Sequence, residues 1–326
     1  HQTVGVAYLL EHRHALLADD LGLGKTVTAI VAMRELFRRG DAARALIVAP
    51  TSALHVWEEH LGEWAPELTV ALVSGRRSER RCAWLQPAHV CLVSYTALRM
   101  DALHGGLPDA LWQGLDLVVA DEVQALARCG TGRRRAFARL MARRRWGLTS
   151  VRLFDQPAEA LTVFNFLTPA LLNGDESLDE CAVRTAPYVL RRRRRQVLAD
   201  LPPRKRQAMW LDMGLAQRQA YDELEARIRR DLAARLERGE PLSRVHVHDA
   251  VAELRRACVL APHHVTNPKA RALRGLAEAA WASGDLLVVF TQQDGESFLE
   301  LQRALAVCGV DAIDGGQVER ASEAEA

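Results

Sequence analysis

Lysine is almost missing from this chain. Of 43 Lys and Arg residues in 326, the lysines are Lys25, Lys205 and Lys269. An arginine-biased coding composition accounts for most of that. Against such a background a lysine inside a glycine turn stands out, because a compact ammonium is what binds a phosphate as a point charge. Close cysteine pairs are also missing. Cys82, Cys91, Cys129, Cys181, Cys258 and Cys308 are scattered, which argues against a zinc site and a disulfide framework and predicts a reducing compartment. There is no apolar run of membrane-spanning length and no signal-peptide pattern. The first residue is His1, so the N-terminus is expected to be cut. Net charge is only +2, which excludes a uniformly basic chain. What is present is 49% hydrophobic and 26% charged, the balance of globular domains. The length suits two of them.

Residues 15–31 organise the rest. Ala15 to Ala18 reads as a buried strand, Gly22 and Gly24 open the backbone, and Lys25-Thr26 begins a helix predicted over 25–39, capped by Gly40. Strand, glycine turn, Lys-Thr and helix form a phosphate cradle. Backbone N–H groups and the helix N-terminus face the anion, Lys25 adds charge, and the Thr26 hydroxyl is placed to ligate Mg²⁺. The full signature wants glycine where Asp19 stands. Further buried strands are predicted at 45–50, 68–73, 89–94 and 115–120, alternating with helices, and Thr51 and Ser52 are placed to cap one of them. A basic helix is expected over 133–144, ahead of Trp146–Thr149. This order predicts a parallel sheet covered on both faces, with functional residues at the carboxyl ends of its strands.

Past Pro169 the texture changes. An arginine run fills 191–195 and Leu201-Pro-Pro203 breaks the chain. A strand is predicted over 207–213, helices over 215–237, 245–259 and 268–283, a strand over 285–290, a helix near 298–307 and a strand over 310–313. We expect an ATP-binding lobe over 1–172, a brace and helical insertion over 173–268, and an unfinished second α/β lobe over 269–326.

Asp121-Glu122 ends a strand about a hundred residues after the cradle, where an acidic partner of a Mg²⁺-nucleotide usually lies. Asp121 is the candidate metal carboxylate and Glu122 the candidate general base. Gln124 is placed to contact the γ-phosphate or a facing domain. Pro50-Thr51-Ser52 and Ser94-Tyr95-Thr96 both follow strands, where hydroxyls and N–H groups suit nucleic-acid phosphates and equally suit helix caps. Arginine clusters at 133–135, 143–145, 191–195 and 204–206 are candidates for a phosphate groove or a solvated face. His12, His14, His246 and His248 lack further ligand candidates and read as surface histidines.

With these residues in hand, the chain resembles the Swi/Snf-type DNA translocases, ATP-driven motors of helicase superfamily two. Asp19-Asp-Leu-Gly-Leu-Gly-Lys-Thr26 is similar to that family's cradle. Gln2, with Gly5-Val6 and Leu9-Leu10, resembles its adenine-reading motif. Ile47 to Ser52 with Trp57, Val93 to Thr96, and Asp121 to Gln124 resemble its next three blocks. Tyr188 to Arg192 with Leu201-Pro-Pro203 resembles the brace between lobes, and Gln217 to Tyr221, Leu254 to Cys258, Val288 to Gln292 and Asp314 to Gly316 resemble second-lobe segments.

The resemblance implies two RecA-like lobes, the second incomplete, that use ATP and Mg²⁺ to move along double-stranded DNA. Gln2, Leu21, Gly22, Leu23, Gly24, Lys25, Thr26 and Val27 would bind nucleotide. Pro50, Thr51, Ser52, Ser94, Tyr95, Arg191 and Arg192 would meet DNA. The implied location is the cytoplasm of a bacterial-type cell, with the nucleoid, or a eukaryotic nucleus. Two departures are clear. The family's Thr-Gly-Thr-Pro-Leu-Gln-Asn reads Thr149-Ser-Val-Arg-Leu-Phe-Asp155, which bears on coupling and keeps a nucleotide-binding scaffold as the alternative. The last two family motifs, with the arginine finger, are missing, which implies weak turnover by this chain alone. A small-molecule kinase is a third class, disfavoured by the two-lobe motif order.

Overall fold

The computed structural model describes residues 1–103, 114–127, 137, 140–151, 157–198, 205–259, 267–291, 299, 301–302, 305, 311–314 and 317–320. The chain divides into two compact units, His1–Pro203 and Arg204–Ala326.

In the first unit, α1 (Gln2–Glu11) leads to β1 (His14–Leu17), the cradle and α2 (Lys25–Arg39). Then follow β2 (Ala45–Ala49), a 3₁₀ turn (Thr51–Ala53), α3 (Leu54–Trp64), β3 (Val70–Val73), α4 (Arg77–Trp84), β4 (Val90–Ser94), α5 (Tyr95–Leu103) and β5 (Leu115–Ala120). β6 (Ala142–Leu148), α6 (Pro157–Leu167), α7 (Leu178–Thr185) and β7 (Val189–Leu190) complete the sheet. The strand order is β3-β4-β2-β5-β6-β1-β7, and every pair is parallel.

The strands are apolar on both faces because both are covered. Ala15, Leu17, Ala45, Ile47, Leu117 and Val119 face one core with Ile30, Met33 and Leu36 of α2 and Trp57 and Leu61 of α3. Leu16, Leu46, Val48, Val93 and Val118 face the other, with Trp84, Leu98, Phe164 and Leu167. Each large side chain buried in this way contributes roughly 1.5–3 kcal/mol. α2 stops at Gly40, whose positive φ of 75° lets its N–H close back on the Leu36 and Phe37 carbonyls.

The helix expected through Arg144 is corrected at its end, because residues 142–148 are strand β6, paired with both β5 and β1. Its arginines are structural. Arg144 donates to the Leu10 carbonyl at 3.0 Å, and Arg145 to those of Phe166 and Leu140 at 2.8 and 3.0 Å. Residues 133–136 lie outside the described residues, as do 152–156 of the departing motif and Arg204. The boundary expected at 172 falls inside the first unit, and residues 173–198 fold with it.

The second unit, taken by itself, contains α9 (Leu215–Glu237), α10 (Arg244–Ala257) and α11 (Pro268–Ser283), following the short α8 (Arg194–Val197) of the first. α9 and α10 run antiparallel, joined by Arg227–Glu253 at 2.6 Å and by Gln217 Nε2 donating to the Ala257 carbonyl at 3.1 Å. The strands expected over 207–213 and 285–290 do not form, and neither segment has a ladder partner among the described residues. Asp311–Asp314 (β8) pairs antiparallel with Gln317–Arg320 (β9). Most of the helix expected near 298–307 lies outside the described residues.

Candidate functional site

Parallel pairing brings the carboxyl ends of all seven strands to one edge. The cradle leaves β1, Asp121-Glu122 leaves β5, and β6 separates them by one strand, its end carrying Thr149. Gly22 and Gly24 have φ of 82° and 74°, a left-handed backbone that glycine adopts without strain. Lys25 Nζ donates to the carbonyls of Asp19 and Asp20 at 2.9 and 3.3 Å. Burial draws its ammonium below the ordinary value, opposed by the charges of Glu122, Asp19, Asp121 and Asp20. The charges of the acidic strand end thus reach the cradle lysine.

Leu23 is buried and Leu21 exposed; Gly24, Thr26 and Val27 are half-buried. Gln2 lies with its amide against Gly24, where a Cβ would collide with it. His1 bonds through Nε2 to the Leu23 carbonyl at 3.2 Å.

Asp121 is held on both oxygens. Trp57 Nε1 donates to Oδ2 at 2.8 Å and the Glu122 N–H to Oδ1 at 2.9 Å. Burial pushes its carboxyl up, with Trp57 opposing and the Glu122 charge adding to the rise. The nearby Lys25 charge offsets that rise only in part, and each oxygen keeps a lone pair. Both facts fit a divalent cation held through water. Glu122 has φ of 47°, unusual for a residue with a side chain. Gln124 Nε2 donates to its Oε2 at 2.5 Å, Thr149 donates to Gln124 Oε1 at 2.8 Å, and the Ser150 hydroxyl lies 3.5 Å from Glu122 Oε1. Gln124 is buried and bonded at both ends, to Glu122 and to Thr149.

The two hydroxyl loops diverge. Thr51 and Ser52 are exposed on their 3₁₀ turn, and neither caps it or α3 through a side chain; Pro50 is half-buried. Ser94, by contrast, accepts from the Ala97 N–H at 3.1 Å as a helix cap. Tyr95 is buried, stacks on Phe137, and donates to the Asp121 carbonyl at 2.7 Å. Tyr95 is thereby tied to the acidic strand end, and Ser94 to the first turn of α5.

Arg192 is held at the cradle. Its Nε donates to Asp19 Oδ1 at 3.0 Å, its N–H to the same oxygen at 2.9 Å, and Nη2 pairs with Oδ2. Nη1 donates to the His1 carbonyl, and Gly5 leaves room for the guanidinium to pass. Asp19 is only 1% exposed. Arg191 Nη2 lies 3.8 Å from Asp20 Oδ1, and the Arg194 N–H donates to Asp20 Oδ2 at 2.9 Å. The brace arginines thus wrap the cradle. Among the described residues no His, Cys, Asp and Glu group forms a metal cluster, and no helix is long and apolar enough to cross a membrane.

A parallel sheet with a glycine-Lys-Thr cradle and an acidic strand end one strand away defines a RecA-like nucleotide-binding lobe. The family of the SNF2-related domain matches residues 1–261. The chain belongs to that family.

It is 27% identical over 281 residues to the Xenopus tropicalis SWI/SNF-related matrix-associated actin-dependent regulator of chromatin subfamily A containing DEAD/H box 1, covering 76% of this chain and 28% of that protein. It is 25% identical over 291 residues to the Caenorhabditis elegans helicase ssl-1, covering 79% of this chain and 12% of that one. The chain spans less than a third of either relative. The Sulfolobus solfataricus SWI2/SNF2 ATPase core in complex with dsDNA shares the fold, with TM-score 0.57, 20% identity, and coverage of 94% of this chain and 68% of that one. The expected bacterial-type origin finds no support among these relatives.

Proposed function

We propose that the chain carries the ATP site of a DNA-dependent ATPase that moves on duplex DNA. The observation that carries this reading is the convergence of Lys25 with Asp121 and Glu122 across β6. In this reading residues 269–326 begin a second lobe, after the brace and helical insertion over 173–268. Lys25 exchanges its two loop carbonyls for phosphate oxygens, and the glycine turn lends its N–H groups. Thr26 and Asp121 would hold Mg²⁺, which shields phosphate charge and polarises the γ-phosphate. Glu122, oriented by Gln124, accepts a proton from the attacking water. Gln2 sits beside Gly24, near enough to the cradle to read the base. Pro50, Thr51 and Ser52 offer exposed groups to a DNA phosphate.

The test is ATP turnover with and without duplex DNA. Stimulation by duplex that is lost in Lys25→Ala supports the proposal. A basal rate indifferent to DNA favours a nucleotide-binding scaffold, a reading motivated by Ser150, whose hydroxyl stands beside Glu122 where the family has glycine.

A further inference from the structure

The arginine run 191–195 is far in sequence from the cradle, yet it lies on it. Its backbone continues β7 along the cradle, with the Asp20 N–H donating to the Arg192 carbonyl at 3.0 Å and the Arg194 N–H to Asp20 Oδ2 at 2.9 Å. Two of its guanidiniums are matched, Arg192 with Asp19 and Arg191 with Asp20. Arg194 differs. Its guanidinium lies against Gly22, with Nη2 2.6 Å from where a Cβ would stand. Among the described residues no carboxylate lies within ion-pair distance of it. Two carboxylates beside a triphosphate site would repel the ligand, and Arg192 and Arg191 cancel them. Arg194 is then an uncancelled cation at the glycine turn.

We propose that Arg194 is a phosphate-binding residue of the nucleotide site, supplied by the segment through which the chain leaves its first unit. The inference rests on the ATP reading above. A planar guanidinium recognises phosphate oxygens in pairs, and this one lies against the turn at Gly22. Gly22 is required twice over, for its positive φ and because a side chain there would displace the guanidinium.

The test is titration of the full chain with Mg-ATP, Mg-ADP and AMP, in wild type and Arg194→Ala. Arg194 is exposed and its tie to Asp20 is through the backbone, so the variant keeps that bond. Loss of one charge-assisted hydrogen bond is expected to weaken Mg-ATP about tenfold or more. Mg-ADP should weaken less and AMP not at all, with partial rescue by Arg194→Lys. Unchanged affinities overturn the proposal. So does an equal loss for all three ligands, which marks loosened structure. Loss of duplex-DNA binding alone overturns it as well, and places the residue on the nucleic acid. Lys25→Ala is measured in parallel. If it also leaves Mg-ATP binding intact, the ATP reading falls together with this one; if only Lys25→Ala weakens binding, this inference alone falls.

Discussion

Asp121 carries a cost in the nucleotide-free protein. Its carboxyl is raised chiefly by burial, so the fold favours the protonated form. The stability tied to this group is fully present below the unfolded value, about pH 4, and is lost as pH rises through the folded value. Asp121→Asn keeps a similar shape and removes that loss. Its amide nitrogen cannot accept one of the two hydrogen bonds, a loss that does not change with pH, so its melting temperature relative to wild type should rise from pH 4 to pH 7, by about 2–4 °C for each kcal/mol relieved. Mg-ATP turnover should vanish in the same variant. A melting difference that does not move in the variant's favour as pH rises contradicts the electrostatics. Glu122→Gln should still bind Mg-ATP while turnover falls by about 10²–10⁴, the scale of a lost general base. Lys25, Asp121 and Glu122 were legible from the sequence because their chemistry is local, with each placed directly after an apolar strand. Arg192 and Gln124 were not, because their partners lie 173 residues away for the arginine and, for the glutamine, at Thr149, 25 residues on at the end of β6. The glycine missing at Asp19 had the same cause, since that position holds the brace.

At the scale of elements, α3 brings Trp57 to Asp121 across 64 residues of chain. Trp57→Phe preserves most of the ring and removes the indole donor. We expect turnover to drop about tenfold, the worth of one hydrogen bond to a charged group, with a smaller stability loss; unchanged kcat would show that the bond does not position the carboxylate. α1 packs on α2 through Gly5, where a Cβ would lie 2.8 Å from Thr28 Cγ2 and 2.9 Å from Arg192 Nη2. Gly5→Ala should therefore destabilise by about 1–3 kcal/mol in denaturant unfolding. The apolar strands β1, β2, β4 and β5 were readable as continuous hydrophobic runs. β6 was not, since Arg143, Arg144 and Arg145 break the apolar run and carry helical charge spacing. Tertiary bonds to backbone carbonyls supply what its sequence lacks. The strands expected at 207–213 and 285–290 show the reverse case. Their apolar alternation or run was real, but a ladder needs a neighbour that local sequence does not provide.

Among the described residues the molecule comprises a seven-stranded parallel-sheet unit and a second unit of helices and one hairpin. Everything argued to touch nucleotide lies within His1–Pro203. The central claim is that Lys25 and the Asp121-Glu122 pair share one Mg-bound triphosphate. Calorimetric titration of Mg-ATP into the wild-type chain and into Lys25→Ala tests it most directly. The expected result is saturable one-site binding by wild type, with affinity lowered at least about a hundredfold in the variant, as for a lost charged contact in a phosphate site. Equal affinities for the two proteins would contradict the account.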